Sequence, residues 1–584
     1  PFAFYCNSVD EDGAAISTVW DLSYDWKDNK WTKDRKQKEA ASTPISIYEV
    51  HLSSWLHSQD NKILSYEELA SRLAHYCAQM GFTHVELMSL TDPLGAQDLN
   101  QQSAGSFAPN SKHGAPQGLM ALIDALHQAN LAVILDWTCA NFPVEASGLG
   151  RFDGTPLYEN AGSSDNQADK MTAFDFSKNE VCNFLISNAF FWFDKYHIDG
   201  IRLVDLSPMV YLPPQKERRP ITNKYGGQEN IEAIAFLQRL NNGISENFRG
   251  AKTYAAESAK TPWQCVSRPA YLGGLGFNYK WNTNWTNELL KFIGSSYEQR
   301  GKFYGQLSNL FSGAFNENFV LPFSCAEIMG QEGALIGKMA GQNLEKFDSL
   351  RLLIGFMFAF CGKKLMFMGQ EFGQDKSWSL NDEIDWDILD NPQNGSVQKW
   401  VRDLNKAYKE NPALYEEEQN PQSYEIAVGD DFTNNVFAFL RHSVDKKDSI
   451  LCVFNFQPAA CSKYKIGVDK KGFWQEILNS DARQYFGNGG TNSEYVPTQN
   501  LRYHDKPYVL EISIPALCAV FFKNVLHRAD IKTDKVLIPA GRHRADSEPT
   551  HKNGVLDVQD IEKADKIYNI DGLRLFNYGE DEDK

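Results

Sequence analysis

Short apolar runs recur from about residue 45 to 415 and alternate with longer amphipathic stretches. SIYEVHL (46–52), HVELMSL (84–90), AVILDWT (132–138), GIRLVDL (200–206), KTYAAES (252–258), NFVLPFS (318–324) and KKLMFMG (363–369) read as strands. YEELASRLAHYCAQM (66–80) and GLMALIDALHQA (118–129) lie between them and space their apolar residues as helices do. Repeated strand–helix order predicts parallel strands and an α/β fold. About eight such units suit a closed (β/α)8 TIM barrel better than an open sheet. Its reactive groups then belong at the C-terminal ends of the strands. Asp136 and Arg202, polar residues that close two of the runs, fit that placement.

Beyond about residue 418 the helical period fades. VFAFLRH (436–442), SILCVFNF (449–456) and YVLEISIPALCAVFF (508–522) read as antiparallel strands of an all-β C-terminal sandwich. The organisation predicted is therefore residues 1–42 as the end of an upstream domain plus linker, 43–417 as the barrel, 418–523 as the sandwich and 524–584 as a polar tail. The charge-rich stretch from Lys27 to Glu39 reads as a solvated connection. The tail ends in GEDEDK and holds few apolar clusters, a composition that suits disorder or docking.

Composition narrows the partners. A chain of 584 residues exceeds one ordinary core. Its formal charge of −17 disfavours nucleic acid and anionic membrane, whereas a neutral sugar polymer is indifferent to charge. The 10 Cys are scattered without C-x-x-C or Cys/His ligand spacing, which predicts reduced thiols, a cytoplasmic location, no metal and no cofactor. No apolar run approaches the ~18 residues of a membrane-spanning helix.

The motifs then resemble a family. YEVHLSSW (48–55), FTHVELMSL (82–90), LIDALHQANLAVILDW (122–137), RFDGTPLYE (151–159), HIDGIR (197–202), NKYGGQENIEAI (223–234), LGGLGFNYKWN (272–282), GKKLMFMGQEFGQ (362–374) and FNFQPAACSKYKIGV (454–468) occur in order. Together the chain resembles glycogen (1,4-α-glucan) branching enzymes of the α-amylase superfamily, glycoside hydrolase family 13. The resemblance implies a carbohydrate-binding β-sandwich ending within residues 1–42. It also implies α-glucan as substrate or partner and a role in glycogen metabolism. The family reaction is retaining transglycosylation, which needs two carboxyls roughly 5–5.5 Å apart across the scissile bond.

At the positions the resemblance assigns to chemistry, the carboxylates are missing. The nucleophile position in Asp199-Gly200-Ile201-Arg202-Leu203-Val204-Asp205 is Val204, two residues after Arg202 on the same strand face. The acid–base position in Ala255-Ala256-Glu257-Ser258 is Ala256, and the third position in Ser324-Cys325-Ala326-Glu327 is Ala326. An alkyl group cannot attack carbon. Asp205, Glu257 and Glu327 are the fallback carboxylates; Asp205 and Glu257, each displaced by one residue, turn to the opposite face of a strand, and Glu327 matches the Glu that follows the third position in the family. Cys325 reads as a small buried side chain rather than a nucleophile. Among sugar contacts, Asp136, Arg202 and the Gly369-Gln370-Glu371 turn match the family. Asn141 replaces its sugar-binding His, Gln101 its stacking Tyr and Leu99 its Trp. Trp55, Trp378 and Trp386 are either sugar platforms or core.

Three functions fit these residues. One is a branching-enzyme relative that has lost catalysis and binds α-glucan or scaffolds glycogen-metabolism enzymes. A second is an active branching enzyme with rearranged catalytic groups, Asp205 as nucleophile with Glu257 or Glu327 assisting. A third is an interaction protein that no longer binds sugar.

Overall fold

The computed structural model of the chain describes residues 3–9, 15–36, 43–88, 90–92, 105–143, 148–159, 171–212, 222–257, 263–328 and 333–525. Eight parallel strands close into a barrel in chain order. They are β1 (Ser46–Val50), β2 (His84–Leu87), β3 (Ala132–Trp137), β4 (Gly200–Leu203), β5 (Lys252–Ala255), β6 (Tyr279–Trp281), β7 (Phe319–Phe323) and β8 (Lys363–Phe367). The α/β barrel predicted from the sequence is thus present. β6 is the strand that no apolar run marked: in Asn278-Tyr279-Lys280-Trp281-Asn282, polar residues alternate with aromatic ones.

Alternation along the strands divides the barrel into two cores. Ile47, Ile134, Tyr254, Tyr279, Val320 and Leu365 pack together inside it. Residues of the other parity, such as Tyr48, Val85, Leu135, Ile201 and Ala255, pack outward under the helices. The helices include α1 (Tyr66–Gln79), α2 (Pro116–Gln128), α3 (Asn179–Lys195), α4 (Ile231–Asn247) and α5 (Leu344–Ala359). Ser65 starts α1 with a capping box, its Oγ accepting from Glu68 N at 3.2 Å while Glu68 Oε2 accepts from Ser65 N at 2.7 Å. Leu69, Leu73 and Cys77, four residues apart, form its buried stripe. Among the described residues no helix is long and apolar enough to cross a membrane.

The C-terminal segment is all β, as expected. β9 (Tyr424–Asp431), β10 (Val436–His442), β11 (Ser449–Asn455), β12 (Cys461–Val468), β13 (Phe473–Asn479), β14 (Tyr495–Pro497), β15 (Tyr508–Ile514) and β16 (Cys518–Val525) form two sheets. The larger has the order β9-β10-β11-β16-β13-β14, and β12 pairs with β15 in the smaller. Val436, Leu451, Ile466, Leu510 and Phe522 fill the space between them. The barrel docks on this sandwich through α5. A Cβ at Gly355 would lie 2.7 Å from Ala519 Cβ, so only glycine permits the approach. Arg441 donates to Ala359 O at 2.7 Å and Leu414 O at 3.1 Å, and Arg300 donates to Phe456 O at 2.6 Å. The tail beyond residue 525 lies outside the described residues.

Over the described part of the stretch expected as a solvated connection, residues 27–36, Lys27, Lys30, Lys33 and Lys36 are exposed, but Asp28 and Arg35 are not free charges. Asp28 is buried, and its Oδ2 lies 2.9 Å from both His127 Nδ1 of α2 and His197 Nδ1. His127 Nε2 reaches Asp199 Oδ2 at 3.0 Å. Asp199 Oδ1 in turn accepts from Trp31 Nε1 and Arg35 Nη1, each at 2.9 Å. Asp28 and Arg35, with Trp31, thus anchor the N-terminal segment on the barrel floor, at the start of β4. The pattern misled because acid and histidine lie about a hundred residues apart in sequence.

Burial pulls His127 towards neutrality, but the Asp199 and Asp28 carboxylates outweigh it and lift its pKa to about 9. Burial likewise opposes ionisation of Asp28 and Asp199, yet their His and Arg partners hold both well below the usual carboxylate range. The raised His contributes stability that is complete below about pH 6.5 and lost as pH rises through 9. The depressed acids contribute above about pH 4, a share lost in strong acid. His127→Ala should lower stability by about 3–5 kcal/mol at pH 6, read by chemical denaturation. The gap to the wild type should narrow as pH is raised to 9 and above.

Candidate active site

The inward face of each strand continues towards the mouth past the apolar layer. There Glu49 of β1, Glu86 of β2, Asp136 of β3 and Arg202 of β4 meet, all at most 5% exposed. Arg202 Nε donates to Asp136 Oδ1 at 2.6 Å, and Nη2 donates to Asp136 Oδ2. Nε also lies 2.9 Å from Glu86 Oε1, and Nη1 lies 3.9 Å from Glu49 Oε1. The guanidinium carbon sits 4.2 Å from the centre of the Trp281 ring, which completes its cage. Glu49 Oε2 accepts from Cys325 N at 2.9 Å and so ties β1 to the end of β7.

Three acids around one cation leave an excess of negative charge. Burial raises the Glu86 pKa well above the carboxylate range against the pull of Arg202, and the Asp136 and Glu49 charges add to the rise. These influences favour the neutral form of Glu86, with Asp136 as its hydrogen-bond partner. Asp136 and Arg202, expected as sugar contacts, are each other's principal partners. Glu49, Glu86 and Trp281 were not singled out from the sequence. The available signal was a single acid at inward parity in an otherwise apolar strand, as in YEVHL and HVELM.

Val204 follows Arg202 at the same parity, half-buried, with its N–H donating to Trp137 O at 3.3 Å. Ala256 is 6% exposed and belongs to the interior cluster that holds Tyr254 and Trp281. Ala326 is exposed in the short helix Cys325–Ile328 after β7.

The fallback carboxylates are placed differently. Glu257 is buried on the opposite side of its strand line, where Oε2 pairs with Lys280 Nζ at 2.9 Å. Its Oε1 accepts from Trp263 N at 2.8 Å and Ser207 Oγ at 3.1 Å. Asp205 is half-buried, and its Oδ1 receives no hydrogen bond. Burial raises its pKa, helped by the Glu257 charge and opposed by the Ser207 N–H. Glu327 lies in the helix after β7, and its side chain is outside the described residues, as are Gln101 and Leu99.

Asn141 is exposed at the start of a hairpin that pairs Asn141–Pro143 with Met171–Ala173. Glu371 is buried and accepts from Tyr48 at 2.8 Å and Tyr76 at 2.6 Å, and burial pushes its pKa up to about 7. Trp55 and Trp386 are core, linked by Trp386 Nε1 to Trp55 O at 2.7 Å. Trp378 is half-buried and donates to Ser54 Oγ at 2.8 Å. Cys325 is buried. No described group of His, Cys, Asp and Glu is arranged to hold a metal ion.

The Glu257–Lys280 pair makes a testable structural statement. Lys280→Met leaves a buried carboxylate without its cation and should cost about 3–5 kcal/mol in urea denaturation. Lys280→Met combined with Glu257→Gln should recover most of that loss. Equal instability of the single and double variants would show that the pair is not coupled.

Comparison with known proteins adds independent findings. Residues 426–525 match the family model described as alpha amylase, C-terminal all-beta domain. Two solved structures share the architecture at 13% identity. A putative alpha amylase from Salmonella typhimurium has a TM-score of 0.59 over 87% of this chain and 89% of its own. The noncanonic maltogenic alpha-amylase AmyB from Thermotoga neapolitana has 0.57 over 83% and 99%. Sequence similarity is more specific. The chain is 41% identical to 1,4-alpha-glucan branching enzyme GlgB of Aquifex aeolicus over 90% of its own length and 83% of that protein's. It is 41% identical to the GlgB of Albidiferax ferrireducens over 90% and 84%. With an amylase-type barrel, an all-β C-terminal sandwich and this identity along most of its length, the chain belongs to the 1,4-alpha-glucan branching enzyme family.

Proposed function

We propose that this chain is a branching-enzyme homologue that binds α-glucan without rearranging it. The observation that carries the reading is the side chain at the acid–base position. Ala256 packs among Tyr254 and Trp281 inside the barrel, and the adjacent Glu257 is committed to Lys280 on the other face. A group so neutralised is poorly placed to protonate a leaving oxygen. Val204 and Ala326 offer hydrocarbon at the other two positions, so no covalent glycosyl intermediate has a carboxylate to form on there. Arg202 keeps its charge occupied with Asp136 and Glu86, which makes the mouth stable without the missing partner. The binding partner is then an α-glucan polymer such as glycogen, with glycogen-metabolism enzymes as scaffolded partners, in the cytoplasm.

Amylose incubated with the wild-type protein should keep its iodine absorbance spectrum unchanged, while amylopectin in a native gel should retard the protein. Val204→Asp, Ala256→Glu and Ala326→Asp together should restore a measurable spectral change. The triple variant should also melt at lower temperature, since Glu at position 256 puts a second carboxyl in an apolar layer. A fall in iodine absorbance with the wild type overturns the proposal.

One observation favours the active alternative. Asp205 Oδ1 is buried with no donor, so one oxygen of the fallback nucleophile is committed to no other partner. If the wild type does branch amylose with Asp205 as its nucleophile, Asp205→Asn should reduce that activity by several orders of magnitude, the scale of a lost nucleophile. Full activity in Asp205→Asn removes this residue from the chemistry.

A further inference from the structure

A buried carboxyl at the C-terminal end of β8 takes no part in the charge layer around Arg202. Glu371 lies in a short 3₁₀ turn, Gln370–Phe372, between Gly369 and Gly373, whose φ values of +85° and +67° are left-handed. The residues beside it hold two connections. Gln370 Oε1 accepts from Leu335 N at 2.9 Å, in the connection after β7. Gln374 N donates to Gly369 O at 3.0 Å, and Gln374 Oε1 accepts from Asp385 N at 2.8 Å, in the connection after β8. Both connections leave the barrel at the end where the mouth lies.

The hydrogen bonds around the carboxyl all run towards one oxygen. Trp55 Nε1 donates to the Tyr48 hydroxyl at 3.2 Å, and Tyr48 donates to Glu371 Oε1 at 2.8 Å. From the other side Gln398 Nε2, on α6 (Pro392–Glu410), donates to the Tyr76 hydroxyl at 3.3 Å, and Tyr76 donates to the same Oε1 at 2.6 Å. Oε2 has no partner, and the residue is closed to solvent. Neither charge state is satisfied. A neutral carboxyl must carry its proton on Oε2, because Oε1 already accepts twice, and that proton finds no acceptor. An ionised carboxyl gains the two phenols but leaves a charge without a counter-ion in a dry layer.

Tyr48 of β1 and Tyr76 and Cys77 of α1 are the titratable groups that face it, and burial keeps all three neutral. Trp386 packs on Tyr76 and Phe372 and brings no charge. Burial outweighs the two phenols, so Glu371 titrates at about 7. We propose that the turn from Gly369 to Gly373 is a pH-sensitive latch on the mouth, closed while Glu371 is neutral and loosened when it ionises. Opening the turn lets water reach Oε2. The closed turn keeps its full stability below about pH 4.5, loses it as pH rises to about 7 and loses no more above that. Across this interval opening becomes about several hundredfold more favourable. The latch acts whatever the mouth binds.

Hydrogen exchange on the full chain reads the latch through four amides, those of Gly373 and Gln374 in and beside the turn and those of Leu335 and Asp385 in the two connections. Their protection factors should fall by about tenfold per pH unit from about pH 5 to 7 and level off above that. Glu371→Gln keeps an acceptor for both phenols and cannot ionise, so the fall should vanish. Amides of β11 in the sandwich should not distinguish the two proteins. Should Glu371→Gln fail to fold, Tyr76→Phe removes one donor to the carboxylate and should move the levelling-off to higher pH. Wild-type protection that ignores pH, an equal fall in Glu371→Gln, or an unmoved levelling-off in Tyr76→Phe overturns the proposal. An equal change at β11 makes Glu371 a determinant of global stability alone and overturns the latch as well.

Discussion

A strand offers each side chain only one of two faces, and in a closed barrel those faces are entirely different solvents. One looks into a narrow lumen with room for a few groups; the other looks into the layer beneath the helices. The composition of the mouth follows from that division. Arg202 and Ala256 are inside because Ile201, Leu203 and Ala255 are outside. Moving a carboxylate by one residue does not move it a few ångströms within the site; it takes it out of the lumen. Glu257 illustrates the point, since its neighbours are Lys280, Trp263 and Ser207 rather than Arg202.

The charge layer at the lumen's upper end raises a second constraint. A guanidinium in a barrel interior needs acceptors, and Asp136 and Glu86 supply them from the two preceding strands. Burial and the neighbouring acids push the Glu86 carboxyl towards its neutral form, which eases the excess of negative charge. The layer therefore persists whatever stands at position 204.

Much of this was legible from residue patterns, and the failures have physical causes. The apolar runs marked most of the barrel strands because those strands are buried on both faces. β6 escaped because it is short and its outward residue is polar: Lys280 is buried against Glu257 and the Trp263 carbonyl, which lie elsewhere in the chain. Asp136 and Arg202 were legible as site residues from the motifs, but their mutual pairing was not, since it depends on the register that sets Arg202 beside Asp136. The N-terminal anchor was misread for the same reason. A charge run looks solvated until the distant His127 that neutralises Asp28 is placed beside it. Long-range electrostatics are what a single sequence hides most completely.

The contact between α5 and the C-terminal sheet has a mechanical consequence. Gly355 lets the helix and β16 approach without a side chain between them, and Arg300 and Arg441 bridge barrel and sandwich through main-chain carbonyls. Prising the two apart would strand buried guanidinium groups and open a dry seam in one step. Under load, barrel and sandwich should yield as a single block, with no regime in which one swings freely on the other.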